Sequence, residues 1–151
     1  MGTDLEVAIF QSSCRTDDKQ ELYWLFSRTQ LEFILKELEL LEGPGAQVVA
    51  RYQEMILPVL SLEEYFGFSK VVQRENLKYL VLRAVDEKGN MRRIIVETEY
   101  SPKFFDLTKS FSSLESFVSP QKNTHISGAY SLGTGKVGVV PDVANICLDL
   151  V

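Results

Sequence analysis

Residues 55–68 have the sequence MILPVLSLEEYFGF, in which an apolar run that contains one proline is followed by an acidic segment. The run Met55–Leu60 has the composition of a β-strand. Pro58 cannot donate a backbone hydrogen bond, so we expect it at a sheet edge or at a bulge. Ser61 has a glutamate three residues on, which is the spacing of a capping box. The pattern therefore predicts a strand and then a short helix over 62–66 that ends at the following glycine.

Apolar runs bounded by turn residues continue on both sides of this segment and predict further strands. The predicted strands are Val7–Phe10, Leu22–Phe26, Val48–Tyr52, Tyr79–Val85, Met91–Glu97, Ile126–Leu132 and Lys136–Val140. Glycines in the intervening segments 86–90 and 133–135 favour hairpin loops. Residues 31–42 are ambiguous, because their leucines also fall at helical spacing. The Ser- and Phe-rich segment 101–125 indicates a strand or short helix within long loops, and Pro141 begins a terminal turn or short helix.

The two halves of the chain repeat one order of elements: strand, hairpin, strand, loop, strand and short helix. In this repeat Met55–Val59 corresponds to Val137–Pro141. Two copies of a small strand set predict two small β-barrels that share one core. Residues 1–20 are predicted to be a peripheral arm. Residues 21–151 are predicted to be a single domain of two pseudo-repeated β subdomains.

Composition excludes several classes of protein. The chain has 151 residues, 45% of them hydrophobic and 25% charged, which is ordinary for one globular domain. The net charge of −5 disfavours nucleic acid or an anionic membrane surface as a partner. No apolar run is long enough to insert in a membrane. Cys14 and Cys147 are expected to be reduced thiols, and with no recognisable signal peptide the expected location is cytoplasmic.

Patterns that carry catalysis or bind metals are poorly represented. His125, the one histidine, lies in a polar run without a nucleophile elbow, so we expect a solvated loop residue. One histidine and two distant cysteines do not make a zinc site. Gly133–Lys136 lacks the remaining residues of a phosphate-binding loop and favours a hairpin turn. We therefore predict no enzymatic activity, no cofactor and no metal.

Aromatic residues form two groups along the sequence. The groups are Tyr23, Trp24, Phe26 and Phe33, and then Phe104, Phe105, Phe111 and Phe117. Most of these side chains are expected in the core. The remainder are expected to form an exposed apolar patch, which is typical of a protein-binding site.

The stretch at 55–68 resembles the CheW-like family of chemotaxis coupling domains, in which an apolar strand with Pro-Val leads to a short helix ending at glycine. Tyr79–Val85 and Arg93–Glu97 are similar to the family's central hairpin. Ile126–Ala129 and Val139–Val143 are similar to its closing Ile-x-Gly hairpin and final aspartate. The resemblance covers about residues 20 to 148. It also favours a strand over 31–35 and leaves 36–42 open. Residues 27–30 are predicted from their own composition to be a short hairpin loop before this strand.

This resemblance implies a mainly β fold of two intertwined SH3-like five-stranded β-barrels with short helices. Members of the family are adaptors, not enzymes, and they couple transmembrane chemoreceptors to the histidine kinase CheA. Strand edges and the groove between the barrels dock on the regulatory domain of the kinase and on receptor helices. The implied partners are therefore a CheA-type histidine kinase, the cytoplasmic helices of a chemoreceptor, or both.

The chain departs from the family pattern next to the quoted strand. The family carries Arg-Gly shortly before this strand, whereas Gln53 and Glu54 stand here, which removes a bidentate donor and reverses the local charge. The usual glutamate at the end of the family's first hairpin falls at Leu40 or Glu42. The implied partner-binding residues are Leu40, Glu42, Tyr52, Gln53, Glu54, Ile56 and Val59. These departures indicate a divergent paralogue, which leaves a pilus-motility pathway open, and a small-ligand-binding β-barrel is the alternative from another class.

Overall fold

The computed structural model describes residues 6–68, 77–99, 102–106, 111–115 and 117–150. Twelve strands and two short helices lie in these ranges, so the predicted mainly β class is confirmed. They are β1 (Glu6–Arg15), β2 (Glu21–Ser27), β3 (Leu31–Leu35), β4 (Leu40–Glu42), β5 (Val48–Tyr52), β6 (Met55–Leu60), α1 (Leu62–Tyr65), β7 (Lys78–Val85), β8 (Met91–Thr98), β9 (Lys103–Asp106), β10 (Ser112–Ser113), β11 (Ile126–Gly133), β12 (Lys136–Pro141) and α2 (Val143–Asp149).

The strands form two sheets with the same internal plan. One sheet, which we name the terminal barrel, has the strand order β10-β11-β12-β2-β1-β9. The other, the central barrel, has the order β4-β5-β6-β8-β7-β3. Each contains one parallel pairing among the described residues, β12 with β2 and β6 with β8, and in each case a short helix follows the first-named strand. The described part of each sheet has six strands where five were expected.

The barrels are intertwined because each takes strands from both halves of the chain. Hairpin β1–β2 from the first half joins β9–β12 from the second, and hairpin β7–β8 joins β3–β6. The predicted hairpin across residues 27–30 is therefore wrong. A single 3₁₀ turn, Arg28–Gln30, instead carries the chain from β2 in one sheet to β3 in the other.

The N-terminal segment is part of the terminal barrel. Strand β1 pairs with β2 on one side and with β9 on the other, and Val7–Phe10 are buried. The prediction of a peripheral arm is therefore wrong for residues 6–15, while residues 1–5 lie outside the described ranges. The polar residue Ser12 interrupts the apolar run, so the sequence pattern does not extend the strand past it. In the structure its hydroxyl is buried and donates to Glu63 at 2.7 Å.

Each sheet has one face on a shared core and the other on a core of its own. In β2, Trp24 and Phe26 enter the shared core, while Leu25 between them faces the inside of the terminal barrel. In β8, Ile94 enters the shared core and Ile95 faces the inside of the central barrel. Successive side chains of a strand point to opposite faces of the sheet, which produces this division. The two barrels therefore pack against each other through the shared core.

Short-range predictions around the quoted stretch are largely confirmed. Helix α1 begins after Ser61, whose hydroxyl accepts from the backbone N–H of Glu64 at 3.4 Å. No helix forms over 36–42, where the chain makes the short strand β4. Strand β6 lies inside its sheet and pairs with β5 without a register shift, so the prediction of an edge or bulge position for Pro58 is wrong. Pairing with β8 starts only at Val59, so the proline precedes the parallel ladder and removes no hydrogen bond from it.

The helix caps give a residue-by-residue alignment of the two barrels. Ser61 caps α1 after β6, and Asp142 caps α2 after β12. Counting back from these caps and following the strand register makes β6 equivalent to β12 residue for residue, from Met55 with Lys136 onward. The sequence correspondence of Met55–Val59 with Val137–Pro141 is therefore one residue out of step, a slip that exchanges the two faces of a strand.

Candidate partner-binding surface and cavity

Strands β4, β5 and β6 form an antiparallel meander at one edge of the central barrel, and it contains all seven sequence-predicted contact residues. Residues that lie opposite one another in such a meander share a face. Ala50 lies opposite Leu57, and both are buried in the central barrel. Arg51 lies opposite Ile56, and both are exposed. The meander therefore has an inner face that packs and an outer face that meets solvent.

The predicted contact residues divide between these two faces. Tyr52 and Val59 are each 7% exposed and belong to the central barrel's core, so they can support a partner site but cannot touch a partner. Ile56 is 54% exposed on the outer face, and Leu40 is 45% exposed on the edge strand β4. Glu42, Gln53 and Glu54 are also exposed. The structure therefore brings five of the seven residues to the surface.

The outer face also contains residues that the sequence reasoning missed. They are Leu41, Val49, Arg51 and Pro58, which surround Ile56 through the strand pairings. Their signal was present in the sequence, because a two-residue turn at Gln53–Glu54 fixes the hairpin register, and alternation then places Arg51 and Ile56 together. We name the set Leu41, Val49, Arg51, Ile56 and Pro58 the meander face.

The turn beside the meander face is made by two side-chain-bearing residues in the left-handed region. Gln53 has φ 47° and Glu54 has φ 65°. Two consecutive positive φ angles give the tight hairpin whose twist matches its strands, and glycine or asparagine normally occupies such positions. Each ordinary residue held there costs about 1 kcal/mol. The turn therefore keeps an exposed carboxylate next to Ile56 at the expense of backbone strain.

An ion cluster closes one end of the central barrel. Glu32 of β3 accepts hydrogen bonds from Nε of Arg93 at 3.0 and 3.1 Å, and Arg83 Nη1 lies 3.5 Å from the same carboxylate. Burial, and then the hydrogen bond to Glu32, raise the pKa of Tyr52. Met55 Sδ lies 3.9 Å from Nη1 of Arg93. The polar and charged side chains at this end of the barrel therefore have one another as hydrogen-bond and ion-pair partners.

The corresponding end of the terminal barrel contains a cavity of about 510 Å³. Its walls are mainly apolar and aromatic, from Ile9, Tyr23, Phe105, Phe111 and Leu132. Polar side chains at its mouth are Gln11, Lys103 and Lys136. A cavity with apolar walls and a few polar groups is the usual form of a small-ligand site.

A second apolar surface lies where edge strands β3 and β9 approach one another. Phe33 is 54% exposed and Phe104 is 45% exposed, and both line a crevice of about 380 Å³. The Arg28 guanidinium lies 5.0 Å from the centre of the Phe104 ring, a cation–π contact. Of the eight aromatic residues in the two sequence groups, two are buried, three are partly buried against a core cluster and three are exposed; these are Trp24 and Phe26, then Tyr23, Phe111 and Phe117, and then Phe33, Phe104 and Phe105. Five of the eight therefore pack in the core and three contribute to the exposed surface.

His125 lies in a polar clasp between the two helices. Its Nδ1 is 2.6 Å from the hydroxyl of Tyr65, the last residue of α1, and that hydroxyl donates to Asp149 of α2 at 2.8 Å. Lys122 forms an ion pair with Asp149 at 3.0 Å. These bonds lower the pKa of Asp149, and burial with the Asp149 bond raises the pKa of Tyr65. The prediction of a solvated loop histidine is therefore wrong, and the cluster ties helix to helix.

Cys14 and Cys147 are both buried and form no disulfide with one another, in agreement with the prediction of reduced thiols. Burial raises the pKa of Cys147 to about 11, so its thiol is protonated at neutral pH and is a poor nucleophile. Within the ranges that the structure describes, no three His, Cys, Asp or Glu side chains are grouped so that they could hold a metal ion. Neither helix in those ranges is long and apolar enough to cross a membrane.

Comparison with solved structures finds a match to this architecture. The scaffolding protein TtCheW from Thermoanaerobacter tengcongensis aligns with a TM-score of 0.63 over 93% of this chain and 86% of that chain, at 10% sequence identity. The fold is CheW-like. No model of a protein family matches the sequence, and no curated protein matches it either. The structural likeness therefore establishes the fold and leaves the partners to be inferred from the surface.

Proposed function

We propose that this protein is a non-enzymatic cytoplasmic adaptor in chemotaxis-type signal transduction. It binds the regulatory domain of a CheA-type histidine kinase, the cytoplasmic helices of a chemoreceptor, or both, and it holds them in one complex. The single observation that carries this proposal is the meander face, a mainly apolar and partly exposed surface around Ile56 on a sheet edge of a CheW-like fold.

The chemistry of the meander face suits a protein partner. Ile56 offers a large exposed apolar side chain, and Arg51 lies directly opposite it on the neighbouring strand. An apolar centre next to an arginine is the composition of residues that dominate binding energy at protein interfaces. Edge strand β4 is three residues long and pairs with β5 on one side, so its other side is open to a strand of the partner within the described structure.

The turn at Gln53–Glu54 favours a divergent partner. A family arginine at the first position would donate two hydrogen bonds in a fixed plane to a carboxylate. Glutamine and glutamate at these positions offer an amide and a negative charge instead. We therefore expect weaker binding to a standard kinase than to the cognate one, and a kinase of a pilus-motility pathway belongs in the same panel.

Matched substitutions test the proposal. Ile56→Asp places a charge in the meander face, and Val85→Asp places the same charge on a side chain of nearly equal exposure, 56% against 54%, at the end of β7. Isothermal titration of each full-length variant with the regulatory domain of the cognate kinase and with a receptor helical fragment measures the effect. We expect Ile56→Asp to weaken binding to at least one partner by tenfold or more and Val85→Asp to leave it unchanged. Absence of binding by the folded wild-type protein, or equal loss in both variants, would overturn the proposal.

A further inference from the structure

We propose that the cavity of the terminal barrel binds a small amphipathic carboxylate, with an apolar tail inside the barrel and the carboxylate at its lysine-lined edge, where Lys103 and Lys136 lie. This site is separate from the meander face, which lies on the other barrel. The small-ligand-binding function that the sequence leaves open as an alternative would then belong to this cavity.

The walls of the cavity are already arranged for an apolar tail. Phe105 and Phe111 meet edge to face with ring centres 5.9 Å apart. Ile9 and Tyr23 face inward from β1 and β2, and Leu132 closes the wall from β11. Phe105 is nevertheless 40% exposed, so apolar surface at the mouth is left open to solvent. A tail that fills the cavity would remove this surface from water, which is favourable in proportion to the area covered.

Two cations at the mouth supply the recognition of an anion. Lys103 and Lys136 take part in no ion pair among the described residues. The nearest acid in the sheet register, Glu21 opposite Lys136, accepts a hydrogen bond from Tyr23 at 3.1 Å and lies 3.8 Å from Arg15. The acid at this mouth therefore has partners of its own, and two lysine charges remain in a chain of net charge −5.

The central barrel shows what the same positions look like when no ligand is needed. Through the helix-cap correspondence, Gln11 takes the place of Arg83, Tyr23 that of Arg93, and Lys136 that of Met55. The central barrel fills this end with an arginine–glutamate cluster that satisfies itself. The terminal barrel has an opening and unmatched positive charge, which a carboxylate with an apolar tail complements in both respects.

The probe for this proposal is octanoate, compared with 1-octanol as an uncharged molecule of the same chain length. Binding to the full-length protein is followed by amide-resolved NMR titration. We expect octanoate to bind at least tenfold more tightly than 1-octanol, a difference of about 1.4 kcal/mol, with shifts concentrated at the cavity walls. The double variant K103Q/K136Q should lose this difference, because it removes the two positive charges that attract the carboxylate. Both lysines are exposed, so we expect the variant to fold like the wild type.

Lys88→Gln is the matched control, because Lys88 is an exposed lysine on the β7–β8 turn of the other barrel. This variant should bind octanoate like the wild type. Equal affinity for octanoate and 1-octanol, no binding of either, shifts outside the terminal barrel, or an equal loss in Lys88→Gln would each overturn the proposal. None of these outcomes bears on kinase binding, so the adaptor proposal stands or falls separately.

Discussion

The terminal and central barrels share one strand plan and differ in what occupies their interiors. Among the described residues, seven buried side chains fill the central barrel, from Ala50 to Ile95, whereas three, Val7, Ile9 and Leu25, fill the terminal barrel. The central barrel's end is closed by the Glu32 cluster, and the terminal barrel's equivalent end is a cavity. In the two proposals, accordingly, the central barrel supports a binding surface on its outside and the terminal barrel encloses a binding cavity.

The difference depends on a few side chains at positions that the backbone makes equivalent. Gly138 of β12 corresponds to Leu57 of β6, and a Cβ built on Gly138 would lie 2.4 Å from Leu25 Cδ1. Leu25 therefore occupies the space that a larger residue on β12 would need. The terminal barrel is therefore tightly packed around Gly138.

The largest expected effect compares one core isoleucine from each barrel. Ile95→Ala in the filled central barrel should lower the free energy of unfolding by about 3 to 4 kcal/mol, since the surrounding side chains cannot close the space. Ile9→Ala in the terminal barrel should lower it by about half as much, because Ile9 already borders a cavity. Urea unfolding of both variants measures the difference. Equal losses would mean that the two interiors are packed alike, against the comparison.

The next effect concerns the ion cluster. Glu32→Gln leaves Arg83 and Arg93 facing one another without a carboxylate and should cost about 2 kcal/mol of stability, the usual worth of hydrogen bonds to a charged group. The exposed Glu87→Gln is the control and should change stability by less than about 0.5 kcal/mol. Thermal unfolding of both variants checks this. If Glu32→Gln behaves like its control, the central barrel's end is not held by its charges.

A smaller effect is expected at the hairpin turns. The β11–β12 turn of the terminal barrel uses glycine at positive φ, 136° at Gly133 and 74° at Gly135, whereas the central barrel uses Gln53 and Glu54. The double variant Gln53→Arg with Glu54→Gly should gain about 1 kcal/mol of stability from relief at the second position. It should also raise affinity for a standard CheA-type kinase, measured by titration. A gain in stability without a gain in affinity would contradict the proposed role of this turn in partner choice.

The smallest effect distinguishes the two equivalent hairpin turns by pH. Hydrogen bonds from the backbone N–H of Asn90 and from the side chain of Arg92 lower the pKa of Asp86 in the β7–β8 turn. Side-chain hydrogen bonds from Thr16 and Gln20 lower the pKa of Asp18 in the β1–β2 turn. A lowered carboxyl pKa contributes stability that is present above the ordinary value of about 3.9 and is lost as the pH falls through the folded value.

Asp86→Asn should therefore flatten the fall in melting temperature below about pH 4 more than Asp18→Asn does, because the Asp86 carboxylate is buried and accepts from backbone donors. Melting curves between pH 5 and pH 2 measure this slope. An unchanged slope in Asp86→Asn would show that the turn carboxylate does not stabilise the hairpin.

Much of the fold is predictable from the sequence because its strands have clear apolar runs and its turns contain glycine. The hairpin β7–β8 and its loop at 86–90 follow from Val81, Ile95 and Gly89 alone. The place of β1 is not predictable in this way, since Ser12 breaks its apolar run and is buried only because Glu63 satisfies it from the other half of the chain. The exchange of hairpins between barrels likewise depends on long-range pairing that no local pattern contains.

The candidate site is predictable only in part. The family resemblance predicts the meander as the contact region. Only the hairpin register set by the Gln53–Glu54 turn, together with the alternation of side chains along the strands, separates exposed Ile56 from buried Tyr52 and Val59. The cavity is not predictable from any run of residues, because its lining residues lie far apart in the sequence and meet only in the folded terminal barrel.

The central claim is that the two barrels work on different partners, one outside the central barrel and one inside the terminal barrel. Amide-resolved NMR of the full-length protein, titrated first with octanoate and then with the regulatory domain of the cognate CheA-type kinase, tests it most directly. The account predicts that octanoate shifts the signals of Ile9 and Leu132 while the kinase domain shifts those of Arg51 and Ile56. Signals that move together on one barrel for both partners would contradict it.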